Sequence, residues 1–168
     1  EVNKCAIHTA FSGNSNWPYD WSSLCPAAPA VQAQSVTTNE DSPLGITLIG
    51  SDINGDALTY AVVSNPSNGS TSINGNVVTY APNTNFNGTD NFTFTASDGG
   101  LTSTPAAVSI TIAPVNDAPV IASTPLLNAM DGSAYNYALT VNDVDGDATS
   151  VTATTKPDWL AISNNNLS

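Results

Sequence analysis

Two short runs of alternating oxygen-bearing residues have the clearest chemical pattern in this sequence: Asp143-Val144-Asp145-Gly146-Asp147 and Asp52-Ile53-Asn54-Gly55-Asp56. Calcium takes about six to eight hard oxygen ligands, so carboxylates and amide carbonyls converging on a tight turn have the chemistry of a calcium site. Asp143, Asp145 and Asp147 are the candidates in one run, and Asn116-Asp117 offers further oxygens. The same residues also have a plainer use, because Asp, Asn and Gly are what a solvated β-turn prefers. An EF-hand is excluded, since no Glu stands at the twelfth loop position.

Other chemistry is thinly represented. His8 is the sole imidazole, there is no GxSxG serine, and the paired carboxylates lie on turns expected to face water. No catalytic triad or glycosidase-type acid pair can be assembled from them, so catalysis is not expected. Cys5 and Cys25 stand 20 positions apart, and they read as a disulfide if the chain is secreted or as two free thiols otherwise, while the single imidazole and the lack of a CxxC argue against zinc. Such a bridge would contribute about 3 kcal/mol in the chain-entropy account. Trp17, Tyr19 and Trp21 lie inside that loop. Exposed rings there would stack on sugars, and buried ones would pack over the bridge.

The elements that must position these residues are strands. Val, Ile, Ala and Leu alternate with Thr, Ser and Asn, while strong helix formers are scarce. Residues 1–30 read as an irregular segment that ends in the stiff Pro26–Ala30 linker. From Val31 onward, alternating runs at Gly45–Ile49, Leu58–Val63, Ser70–Ile73, Asn76–Tyr80, Asn91–Ala96 and Ala107–Ile112 are separated by turn residues. Asn91-Phe92-Thr93-Phe94-Thr95 reads as a half-buried strand. Asn74-Gly75 predicts a type I′ hairpin. Six or seven such strands without helical period predict an antiparallel β-sandwich.

The charge excludes several partners. With 2 basic against 14 acidic residues the net charge is −12, so Lys4 and Lys156 cannot form a track for nucleic acid or a patch for anionic lipid. No apolar run approaches the roughly 20 residues of a membrane-spanning helix, so no membrane insertion is expected. The chain opens at Glu1 and reads as a processed chain or an excised piece.

A repeat runs through the chain. Asp52–Ala57 returns as Asp143–Ala148 at an offset of 91, and Ala28-Pro29-Ala30-Val31 anticipates Ala118-Pro119-Val120-Ile121 at 90. The period is one whole domain, which divides the chain into 1–30, a sandwich over 31–117, and a second unit from 118 to 168 that is about three strands short. The chain continues, or a strand from a neighbouring subunit completes it.

Thr38–Leu44, Asp52–Tyr60, Asn85–Phe94, Ser97-Asp98-Gly99 and Val115–Pro119 together resemble the cadherin-like, tandem-repeat Ig modules of large secreted bacterial proteins over residues 31–119. Gly132–Tyr137, Asp143–Asp147 and Lys156–Leu160 are similar to the opening half of a dystroglycan-type cadherin-like domain. The resemblance implies Ig-like β-sandwiches in tandem with an extracellular, adhesive or spacer role at a cell surface, no catalysis, and in some members calcium. By resemblance, a junctional calcium would fall to Asn116, Asp117, Asp143, Asp145 and Glu40, with Asp90 beside them. The first unit departs from that pattern, because its preceding linker has no acid. The leading expectation is therefore a non-catalytic structural or adhesive module whose partners are neighbouring domains or subunits. The alternatives are a carbohydrate-binding accessory module of a secreted hydrolase, which would bind surface glycans through Trp17, Tyr19 and Trp21, and a filament subunit completed by strand exchange.

Overall fold

The structure, a computed structural model, describes residues 4–16, 18, 25–124, 136–153, 155, 158, 161–163 and 166–167. The chain divides into two compact units, Glu1–Pro114 and Val115–Ser168.

The first unit is built on period-two patterning. β8 (Gly88–Ser97) buries Asp90, Phe92, Phe94 and Ala96 and turns the residues between them outward. β9 (Ala106–Ala113) does the same with Val108, Ile110 and Ile112. These two strands lie at the centre of a four-stranded sheet, with β2 (Gln34–Asn39) beyond β9 and β5 (Thr59–Ser64) beyond β8. A second sheet has β7 (Val77–Pro82) between β3 (Leu44–Thr47) and β6 (Gly69–Asn74). Ile46 and Leu48 from the β3 segment and Val78 and Tyr80 from β7 pack with Phe92, Phe94, Val108, Ile110 and Ile112 into one core. Fully burying each of these large side chains contributes about 1.5–3 kcal/mol. The expected all-β, Ig-like sandwich is thus formed. Its edge strand β5 carries a bulge between Val62 and Ser64, which disrupts the ladder a foreign strand would extend.

Three details differ from the sequence expectation. First, one pairing is parallel: β2 runs alongside β9 from Gln34↔Val108 to Asn39↔Ala113. The first and last long strands of the sandwich therefore point the same way. The chain comes in at one end of the sandwich and leaves at the other, a geometry that strand patterning does not encode. Second, the β6–β7 loop is Gly75-Asn76, closed by the pair Asn74↔Val77. Positive φ falls on Gly75 (61°) and not on Asn76. Glycine at the first loop position is the II′ arrangement, one residue along from the I′ turn expected on Asn74-Gly75. Third, the N-terminal segment, expected to be irregular, contains a two-turn helix, α1 (Lys4–Phe11). An isolated helix this short is marginal. Cys5 on α1 is bridged to Cys25, which ties the helix to the start of the linker.

Two-residue strands β1 (Ala30–Val31) and β4 (Gly50–Ser51) pair where the linker joins the sandwich. In the second unit, β10 (Val120–Ile121) pairs with β12 (Val141–Asn142). There β14 (Asn166–Leu167) lies between β11 (Tyr137–Ala138) and β13 (Ile162–Ser163).

Candidate functional site

The two acidic runs fold into the same turn. In the first, Asp52 Oδ1 accepts the backbone N–H groups of Asn54 (2.7 Å) and Asp56 (3.3 Å), while Gly55 N–H donates to Asp52 O at 3.3 Å and Gly55 has φ 80°. In the second, Asp143 Oδ1 accepts from Asp145 (3.0 Å) and Asp147 (3.2 Å), Gly146 N–H donates to Asp143 O at 3.3 Å, and Gly146 has φ 78°. The aspartate at the head of each run thus folds its own turn, as short polar side chains do, and the positive φ requires the glycine.

Each turn also holds the chain segment that precedes its unit's strands. Asn54 Oδ1 accepts the Ala27 N–H at 3.1 Å, and its Nδ2 donates to Cys25 O at 2.9 Å. At the repeat-equivalent place, Asp145 Oδ2 accepts the Asp117 N–H at 2.6 Å. The positions correspond at offsets of 91 and 90. Asn54 grips its linker as acceptor and donor, whereas an ionised Asp145 can only accept. Asn116 Nδ2 reaches the Asp117 carbonyl at 3.1 Å.

The other residues proposed as metal ligands lie in the first unit. Asp90 is 6 % exposed and accepts four hydrogen bonds, from the backbone of Ser67 (3.0 Å), Asn68 (2.9 Å) and Asn91 (2.9 Å) and from the Tyr80 hydroxyl (3.0 Å). A carboxylate has about four acceptor sites, so these bonds engage it fully. Burial pushes the carboxyl up, but the N–H donors of Asn68, Asn91 and Ser67 together with the Tyr80 hydroxyl outweigh it and hold Asp90 below the ordinary carboxylate range. Burial first, and then the adjacent Asp90, raises Tyr80 far above the usual phenol range. Asp90 is thereby a structural hub of the sandwich. Glu40 is 3 % exposed, and its backbone N–H donates to Ala113 O at 2.9 Å, continuing the β2–β9 pairing.

The structure thus brings Asp117, Asp143, Asp145 and Asp147 to one turn and its linker, and places Glu40 and Asp90 in the other unit. Among the described residues no three His, Cys, Asp or Glu side chains form a metal-binding group. The oxygens Asp143 Oδ1 and Asp145 Oδ2 are held by backbone N–H groups. Trp17, Tyr19 and Trp21, the candidate sugar contacts, lie outside the described residues. The sequence reading missed the grip of Asn54 on Cys25 and Ala27, although the paired offsets of turn and linker were its signal. It also missed a groove of about 780 Å³ beside the first turn, lined among others by Asp52, Asp56, Leu58, Tyr60 and Ile73.

Two sheets packed face to face, with the first long strand, β2, parallel to the last, β9, define an immunoglobulin-type β-sandwich. The chain belongs to the bacterial Ig domain family, whose profile matches residues 26–111. That match begins at the linker held by Asn54, so the linker is part of the module. Comparison with the curated proteins gives no match. Among solved structures the chain is similar to the endo-fucoidan hydrolase MfFcnA4 of glycoside hydrolase family 107, with 28% identity over 83% of this chain and 24% of that one, at TM-score 0.43. It is also similar to human protocadherin-24 EC1-2, with 20% identity over 84% of this chain and 76% of that one, at TM-score 0.46. The chain spans about a quarter of the length of the fucoidan hydrolase. Among the described residues no helix is long and apolar enough to cross a membrane.

Proposed function

We propose that this chain is a non-catalytic structural module of a larger secreted or surface protein, an in-line link that holds neighbouring domains apart. The observation that carries this reading is the parallel β2–β9 pairing, which takes the chain in at one end of the first unit and out at the other. A module threaded in this way connects two neighbours without folding the chain back on itself. The repeated turn-to-linker hydrogen bond supports the same reading, since it fixes the incoming chain at each unit. The Cys5–Cys25 bridge fits an oxidising compartment.

Antibody against the first unit tests the location. It is expected to label intact producing cells or to find the protein in the medium, with the Cys5–Cys25 bridge formed. A protein retained inside the cell with both thiols reduced would overturn the reading.

A further inference from the structure

Four asparagines are followed by glycine: Asn54, Asn68, Asn74 and Asn87. This pairing permits a self-modification, because glycine has no side chain to hinder attack by its own backbone nitrogen. The Gly nitrogen loses its proton and bonds to the Asn Cγ, the Cγ–NH2 bond breaks, and ammonia leaves. Water then opens the resulting ring at either carbonyl, giving aspartate or isoaspartate. The asparagine must be free to swing its carboxamide onto the next peptide, and the fold sorts the four sites by that requirement.

At Asn54 both carboxamide atoms are engaged, by Cys25 O and Ala27 N, and the attacking Gly55 N–H already donates to Asp52 O. At Asn68 the next residue, Gly69, is in the β6–β7 ladder opposite Pro82, and an atom added at its Cβ position would stand 2.5 Å from the Tyr80 ring. At Asn87 the attacking Gly88 is in the β8–β9 ladder opposite Ile112. Asn74 differs from all three. It is exposed at the hairpin end, Gly75 lies outside the ladder, and a Cβ added at Gly75 would meet no atom beyond its chain neighbours within 4 Å.

We propose that Asn74 is a site of spontaneous deamidation in the folded protein. The change adds a negative charge beside the groove that Ile73, Gly75 and Asn76 help to line. Its isoaspartyl form puts an extra backbone carbon into residue 74, a member of the Asn74↔Val77 pair that closes the hairpin.

The test is incubation of the whole protein at neutral and mildly alkaline pH, followed by mass mapping of chymotryptic peptides, since Lys4 is the sole tryptic site, Lys156 being followed by Pro157. A gain of about one mass unit is expected first at Asn74. It should form at least about tenfold faster there than at Asn54, whose carboxamide must first give up two hydrogen bonds, and faster at the higher pH. In denatured protein all four sites should react at similar rates, and Asn74→Ser should remove the early product from the folded protein. Equal folded rates at Asn74 and Asn54, or an early product that survives Asn74→Ser, would overturn the proposal.

Discussion

The turns at Asp52–Asp56 and Asp143–Asp147 use one backbone solution in two chemical versions. Both are closed by the aspartate at their head, and both reach from their third residue to the linker. The first places a neutral amide there, which satisfies an N–H and a carbonyl together. The second places a carboxylate, which satisfies only the N–H. The repeat of acidic turns is therefore, in the structure, a repeat of linker anchors, and of the two positions that differ between copies, Ile53/Val144 and Asn54/Asp145, the second makes the contact. The same comparison separates anchor from core: the first unit adds a buried hub at Asp90, whereas among the turn acids Asp56, Asp145 and Asp147 are exposed and Asp52 and Asp143 half-buried.

The largest effect separates hub from turn. Asp90→Ala leaves three backbone donors and the Tyr80 hydroxyl without their acceptor, and is expected to destabilise the first unit by about 3 kcal/mol. Hydrogen exchange should show the β8 and β9 amides losing protection, with the second unit unchanged. Gly69→Ala comes next, at about 1–3 kcal/mol, because the added methyl meets the Tyr80 ring. If its melting point equals that of the parent, the tight approach of β6 to Tyr80 is refuted.

Asn54→Ala removes both linker bonds and is expected to cost about 1–2 kcal/mol, with faster exchange of the Ala27 amide. Asn54→Asp should keep the Ala27 bond but lose the donor to Cys25, converting the first anchor into the second. Its loss should fall below that of Asn54→Ala, and an equal loss would contradict the division of work between the two atoms of the amide. The smallest effect belongs to Asp145→Asn, which should change stability by less than about 0.5 kcal/mol.

Acid gives an independent check. Asp90 titrates below its unfolded value, so its contribution is present above the ordinary carboxylate pKa of about 4 and is lost as pH falls through the lower folded value. Asp90→Asn should flatten that acid limb in a melting-point series. An unchanged limb would place the acid sensitivity elsewhere.

Much of this was legible in the sequence. The alternation around Phe92 and Phe94 reports a strand with one buried face, and the structure has it. Asp90 sits in phase with those phenylalanines, so its inward direction was also on view. What the sequence could not show were the donors that meet it, which come from Ser67 and Asn68 in the β5–β6 loop and from Tyr80 on β7. Strand direction is likewise a property of the assembled sheet, so the parallel pair was not readable. Helix α1 was overlooked because eight residues give too few turns for a periodic signal.

That parallel pair determines how the first unit meets a pull on its two ends. Tension arriving before Gln34 and leaving after Ala113 draws β2 and β9 in opposite directions along their shared axis. The hydrogen bonds between them lie across that axis, so the six paired positions resist sliding together. A hairpin pulled from its open end gives way one bond at a time. For a chain that links neighbours, this clasp sets the unit's resistance along the line on which they would tug.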